Sequence, residues 1–172
     1  MSVQLNDAEL IEQARVFALK AHGDQKYGKR PYEHHLQQVF YLAKSFELPA
    51  QVQAAAWLHD VLEDTEVYFE DVMVAFGVKI FDLVNAVTNE AGKNRLERHE
   101  RTYPKIRRNE YAVALKLCDR IANVRECVHT ENKGLMKMYK KEQADFEKAL
   151  RRPGEWEELW RALHNLLDFQ AK

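Results

Sequence analysis

The chain has 172 residues, of which 26 are Lys or Arg and 27 are Asp or Glu, for a formal net charge of -1; 46% are hydrophobic and only six are Gly and four Pro. The apolar share excludes a disordered chain, and the low Gly and Pro content excludes a collagen-like one. The balanced charge gives no global case for nucleic-acid or membrane partners, and at about 100–200 residues per domain the length fits one domain over 1–172.

Residues 1–6 hold no basic region followed by an apolar stretch, so no secretory leader is expected. Asn6 and Asp7 can cap a first helix with Glu9 and Glu12 near its positive end, and Leu10, Ala14, Phe17, Ala18 and Ala21 follow helical spacing. Gly23, Gly28 and Pro31 interrupt it, so 23–31 reads as a loop. A second helix spans about 34–46 with Leu36, Val39, Leu42 and Ala43 inward. Pro49 opens a third, which places Val52, Ala55, Ala56, His59 and Leu62 on adjoining turns and ends at Asp64 and Thr65. A short helix over 69–76 stops at Gly77, a left-handed cap position. Ile80, Phe81, Val84 and Val87 give the next helix, closed near Gly92. Residues 111–128 read as a buried helix through Val113, Leu115, Leu117, Ile121 and Val124. Two last helices, 135–150 and 155–169, flank Pro153 and Gly154. No stretch alternates with period two, so the expected fold is all-α, a single bundle of seven to nine helices.

No apolar run approaches the ~20 residues that span a bilayer. Cys118 and Cys127 form neither a disulfide framework nor a zinc-finger spacing, so reduced thiols and a cytoplasmic location are expected.

The chemistry gathers in the third helix. His59 and Glu63 are four apart, as are Asp60 and Asp64, so each pair lies on one face about a turn apart. His59 and Asp60 are adjacent, about 100° apart around the axis, and can approach one ion from two sides. Imidazole with carboxylates suits a first-row divalent metal. Taken alone, the pair reads as a helix end with a salt bridge. Further ligands must come from other segments, and His35 and Asp119 are the candidates. Asp119 follows an apolar run, and a buried carboxylate needs a metal or a partner such as Lys116 or Arg120.

The joint pattern resembles the HD-domain superfamily of metal-dependent phosphohydrolases. It is similar in particular to the (p)ppGpp hydrolase domain of RelA/SpoT enzymes and the stand-alone small alarmone hydrolases. The stretches that carry the resemblance are His22-x-x-Gln25, Pro31-Tyr32-x-x-His35-x-x-x-Val39, His59-Asp60-x-x-Glu63-Asp64-Thr65, Phe76-Gly77 and Lys116-x-x-Asp119-Arg120-x-x-Asn123. They place a metal core at about 14–128 and leave 135–169 as C-terminal helices. The resemblance implies one Mn²⁺-type ion on His35, His59, Asp60 and Asp119. It implies that Glu63 and Asp64 position and deprotonate the attacking water, and that Lys116 and Asn123 lie beside the substrate. The implied reaction removes the 3′-pyrophosphate from guanosine tetra- or pentaphosphate. The length leaves no room for the synthetase half of the larger enzymes. The alternatives are an HD phosphohydrolase of another nucleotide or phosphorylated cofactor such as NADPH, and a catalytically silent nucleotide sensor. The complete Glu63–Asp64 pair argues against the sensor.

A polyphosphate substrate calls for cations beyond the metal. Between 93 and 108 lie seven Lys or Arg against Glu97 and Glu100, a local charge of +5. The segment is expected either as a solvated helix face or as a rim drawing in the polyanion through Arg98 and Arg101. Lys26, Tyr27 and Tyr32 are further substrate candidates, Tyr27 near the place where the family carries an Arg that packs on guanine. Two departures fall in the same region: Leu36 follows the ligand His where the family has Pro, and Glu126 stands where a small hydroxyl residue is usual and would repel phosphate. His22 reads as a helix-end residue, and His99, His129 and His164 as surface residues. Phe146, Leu150, Trp156, Leu159, Trp160 and Leu163 read as core, or as anchors of a possible homodimer.

Overall fold

The computed structural model describes residues 6–168, which form nine helices and one two-stranded hairpin. In chain order these are α1 (Asp7–His22), β1 (Lys26–Tyr27), β2 (Arg30–Pro31), α2 (Glu33–Ser45), α3 (Ala50–Leu58), α4 (Val61–Asp64), α5 (Phe69–Val87), α6 (Arg95–Ile106), α7 (Glu110–His129), α8 (Lys133–Leu150) and α9 (Glu157–Asp168). Asn6 accepts from the Glu9 amide at 3.0 Å while Glu9 accepts from the Asn6 amide at 2.9 Å, so α1 opens on a reciprocal capping box. Position 169 of the expected last helix lies outside the described residues.

The bundle is built around α7, which packs against α2, α3, α5, α6, α8 and α9. Its apolar positions Val113, Leu115, Leu117, Ile121 and Val124 are all buried, as the sequence pattern indicates. Phe146, Leu150, Leu159, Trp160 and Leu163 are buried within the chain, so they are core residues rather than exposed dimer anchors.

Three local expectations change. The stretch 23–31 is not only loop: it pairs Lys26 with Pro31 and Tyr27 with Arg30 across a turn in which Gly28 takes a φ of 60°. The third helix is not continuous. It stops at Leu58 and resumes at Val61, leaving His59 and Asp60 at the break. His59 Nδ1 donates to the Ala56 carbonyl at 2.9 Å, the acceptor that the Asp60 amide would use in an unbroken helix. The α5 segment ends at Val87 rather than near Gly92, with the Thr88 hydroxyl folded back on the Val84 carbonyl at 2.8 Å. The basic stretch is itself a helix, α6, opened by Asn94 accepting from the Glu97 amide at 3.0 Å. Gly77 does break helical geometry inside α5, at φ 76°. Among the described residues no helix is long and apolar enough to cross a membrane.

Candidate active site

Three parts of the fold bring His35, His59, Asp60 and Asp119 together. His35 sits on the first turn of α2, held there by the hairpin through the Tyr32 amide, which donates to the Gln25 carbonyl at 3.0 Å. His59 and Asp60 come from the α3–α4 break, and Asp119 from the middle of α7. His35 Nε2 and His59 Nε2 are 3.2 Å apart. Asp60 Oδ2 stands 3.5 Å from His35 Nε2 and 3.1 Å from His59 Nε2. Asp119 Oδ1 stands 3.4 Å and 3.8 Å from the same two nitrogens. His35, His59 and Asp119 each offer a ligand atom within 4.8 Å of the others, with Asp60 beside the two imidazoles, a donor set that suits a divalent metal. The tautomer agrees: with the His59 Nδ1 proton on Ala56, its Nε2 lone pair faces His35 Nε2, a contact that favours a cation between them.

The electrostatics follow from burial opposed by pairing. Burial lowers the His35 pKa, but hydrogen bonds with Asp119 and Asp60 outweigh it and raise it to about 9. Burial raises the Asp60 carboxyl, yet His59 and His35 hold it well below the ordinary range. Asp119 is likewise lowered against its burial, first by Lys116 and then by His35. Both carboxylates are therefore ionised at neutral pH, and a metal would displace protons from the imidazoles.

A second layer fixes these ligands. Lys116 Nζ donates to Asp119 Oδ2 at 2.8 Å, and Asn123 Nδ2 donates to Asp119 Oδ1 at 2.6 Å. Tyr27 Oη donates to Asn123 Oδ1 at 2.6 Å, and its ring stacks on His35 with centroids 4.7 Å apart. Tyr32 Oη lies 2.7 Å from both Asp60 Oδ2 and Asp64 Oδ2, and its ring stacks on His22 at 4.3 Å. Glu63 is turned to a residue that the sequence motifs do not mark: Asn89 meets it through its amide at 3.2 Å and through Nδ2 at 2.9 and 3.1 Å.

Comparison with known proteins gives this arrangement a family. A family model described as "HD domain" matches residues 14–146. The chain belongs to the HD domain family. A guanosine-3′,5′-bis(diphosphate) 3′-pyrophosphohydrolase of Aquifex aeolicus is 32% identical over 69% of this chain and 18% of its own length. The protein of that name called MESH1 in Xenopus tropicalis is 31% identical over 70% of this chain and 71% of its own. The chain spans less than a fifth of the length of the first curated relatives it matches. A solved structure, described as a metazoan ortholog of SpoT that hydrolyzes ppGpp and plays a role in starvation responses, superposes with a TM-score of 0.80. It does so at 24% identity, covering 95% of this chain and 96% of that one, which shows the HD fold.

Beside the cluster this HD domain has a cavity of about 220 Å³. Tyr27, Tyr32, Glu63, Asp64, Lys116 and Asn123 all line it. Lys26, Arg98 and Arg101 do not. Arg101 instead turns to the Ala91 carbonyl at 2.8 Å and to Glu97 at 2.5 Å, so the basic segment reaches the cavity through Arg95. Glu126 also lies off the cavity, 3.4 Å from His34, which is bonded to Arg30 at 2.7 Å. Glu126 instead lines a neighbouring pocket that shares Tyr27 and His35 with the cavity. His99 is not a surface residue. The inward face of α6 carries it with Thr102, Tyr103 and Ile106, and it stacks on Tyr103 at 4.9 Å. Burial first and Arg95 second lower its pKa to about 4, so it is neutral. Asn89, Arg95, His99, Tyr103 and Tyr139 are cavity residues that sequence motifs missed. The one available signal was the apolar and small inward face of α6.

Proposed function

We propose that this HD domain is a metal-dependent phosphohydrolase that removes the 3′-pyrophosphate from guanosine tetra- and pentaphosphate, with Mn²⁺ held by His35, His59, Asp60 and Asp119. The observation that carries the reading is the convergence of two imidazoles and two carboxylates beside a second carboxylate pair, Glu63 and Asp64, in a cavity walled by cations. The names of the Aquifex and Xenopus relatives support the substrate. A small nucleotide is the partner this reading requires. The buried free thiols of Cys118 and Cys127 agree with a cytoplasmic enzyme.

A bound divalent ion supplies Lewis acidity, which lowers the pKa of water and offsets phosphoryl charge. The chain's own residues do the rest. Glu63, oriented by Asn89, takes the proton of the attacking water. The Tyr32 hydroxyl donates toward both Asp60 Oδ2 and Asp64 Oδ2 at 2.7 Å, which ties the second carboxylate pair to the cluster. The Asp64 carboxyl is raised first by its burial, with the Tyr32 hydrogen bond opposing and the charges of Asp60 and Glu63 adding to the rise, while Asp60 is lowered. Asp64 can hold and return a proton beside the reacting phosphate. Lys116, Arg120 and Arg95 also line the cavity and offer positive charge to the phosphates.

A second reading, another nucleotide or a phosphorylated cofactor such as NADPH, draws on the hairpin side. One face of Tyr27 is already on His35, and the Arg30 guanidinium is tied to His34 at 2.7 Å and to His129 at 2.9 Å, so the hairpin's aromatic and its arginine already have partners within the chain. Incubating the purified chain and Mn²⁺ with guanosine tetraphosphate and with NADPH separates the readings. Pyrophosphate release from the tetraphosphate supports the first. Turnover of NADPH alone moves the substrate to the second, and binding without turnover of either removes the enzyme.

A further inference from the structure

Three cations line the cavity, and each is already matched. Lys116 is bound to Asp119. Arg120 is deeply buried: its guanidinium donates to the Tyr139 carbonyl at 3.0 Å, to Gln143 Oε1 at 3.3 Å and to Glu142 Oε2 at 3.4 Å, and lies over the Phe146 ring at 4.3 Å. Arg95 differs. Its side chain is 40% exposed, and both of its hydrogen bonds go to Glu142, Nε to Oε1 at 2.6 Å and Nη2 to Oε2 at 3.3 Å. One carboxylate on α8 therefore pairs with two guanidinium groups of the cavity and offsets half of their charge. Glu142 is not itself in the lining. It faces a separate groove of about 840 Å³ between α6 and α8, and His99 and Tyr103 line both spaces.

A phosphate that enters the cavity meets an Arg95 whose Nε and Nη2 are held by Glu142, so carboxylate and phosphate compete for its charge. Arg120 has other partners and stays in place. We propose that Glu142 is a specificity-determining residue: by holding Arg95 it sets how much positive charge the cavity offers to the non-reacting phosphates of a nucleotide, and so discriminates among substrates by charge. This rests on the phosphohydrolase reading and adds to it a residue outside the motifs. Lost competition at a partly exposed, charge-assisted pair changes affinity about three- to tenfold.

The test uses the full chain loaded with Mn²⁺. Inorganic pyrophosphate is titrated by calorimetry, and KM and kcat are measured for guanosine tetraphosphate. Glu142→Gln is expected to tighten pyrophosphate and lower KM by about three- to tenfold, with kcat changed less. Arg95→Gln is expected to weaken both by a similar factor, and the double variant to behave as Arg95→Gln. Glu100→Gln, in the groove but on neither guanidinium, leaves both quantities as in the wild type. A Glu142→Gln gain that persists in the Arg95→Gln background overturns the proposal. So does unchanged pyrophosphate affinity in folded Glu142→Gln and Arg95→Gln. Arg95→Gln keeps the Arg120–Glu142 pair, so it decides alone should Glu142→Gln fail to fold. If the wild type does not turn over guanosine tetraphosphate, the functional reading fails, and the pyrophosphate titrations still decide the role of Glu142.

Discussion

Tyr27 and Asn123, 96 positions apart in sequence, are joined by a hydrogen bond of 2.6 Å from the Tyr27 hydroxyl to Asn123 Oδ1. The bond turns the Asn123 amide so that Nδ2 meets Asp119 Oδ1, and it fixes the phenol ring over His35. The hairpin thus acts on two of the proposed metal ligands at once, His35 and Asp119. Groups that orient ligands cost about 10–100-fold in metal affinity when removed. Asn123→Ala is expected in that range by Mn²⁺ titration. Tyr27→Phe, which keeps the ring stack, is expected to lose about three- to tenfold. Wild-type affinity in Tyr27→Phe would show that the hairpin contributes only packing.

Asp60→Ala and Asp119→Ala are both expected to abolish Mn²⁺ binding, and with it the rise in Tm that a ligand bound only by the folded state produces. Their stabilities without metal should differ. Asp119 is the carboxylate paired with the Lys116 ammonium at 2.8 Å, and its removal leaves that buried cation unmatched. Asp119→Ala should therefore be less stable to urea than the wild type by about 2–4 kcal/mol. Equal urea midpoints for the two proteins would contradict the ion pair.

Glu63 is held through both carboxylate oxygens by Asn89. Glu63→Gln should keep Mn²⁺ affinity and lose about 10²–10⁴-fold in kcat, the usual range for a missing general base. Asn89→Ala, which frees the carboxylate without removing it, should lose less. Full activity in Glu63→Gln would transfer the base role to Asp64.

The gathering of His35, His59, Asp60 and Asp119 was legible because each stands in a short local motif with fixed spacing, and the fold needed only to bring three motifs together. The break at His59 and Asp60 was not legible. Helical periodicity runs through Leu58 and Leu62, and the competition for the Ala56 carbonyl is a side-chain event within an otherwise helical pattern. The cavity wall was misread for a different reason. Charge marked Arg98 and Arg101, but rotation along α6 decides which residues face inward, and that rotation places Arg95, His99 and Tyr103 on the cavity side. Asn89 lies just past the end of α5 in no motif, and only the tertiary approach of that end to Glu63 gives it a role.

His99 makes one linkage testable. In the folded protein its pKa is lowered from 6.5 to about 4, first by burial and then by Arg95. The unfolded chain therefore binds an extra proton throughout that interval. The resulting stability is fully present above pH 6.5 and declines as the pH falls toward 4, below which both states are protonated. Between pH 7 and pH 5 the expected loss is about 1–2 kcal/mol. The imidazoles at the metal cluster titrate in the opposite sense, since His35 is raised to about 9, so the wild-type slope alone is not diagnostic. The difference between wild type and His99→Gln is. Urea denaturation of both at pH 7 and pH 5 should show a smaller acid loss in His99→Gln by that amount. Parallel losses would mean that His99 is protonated in the folded cavity and adds a cation to the wall facing the substrate.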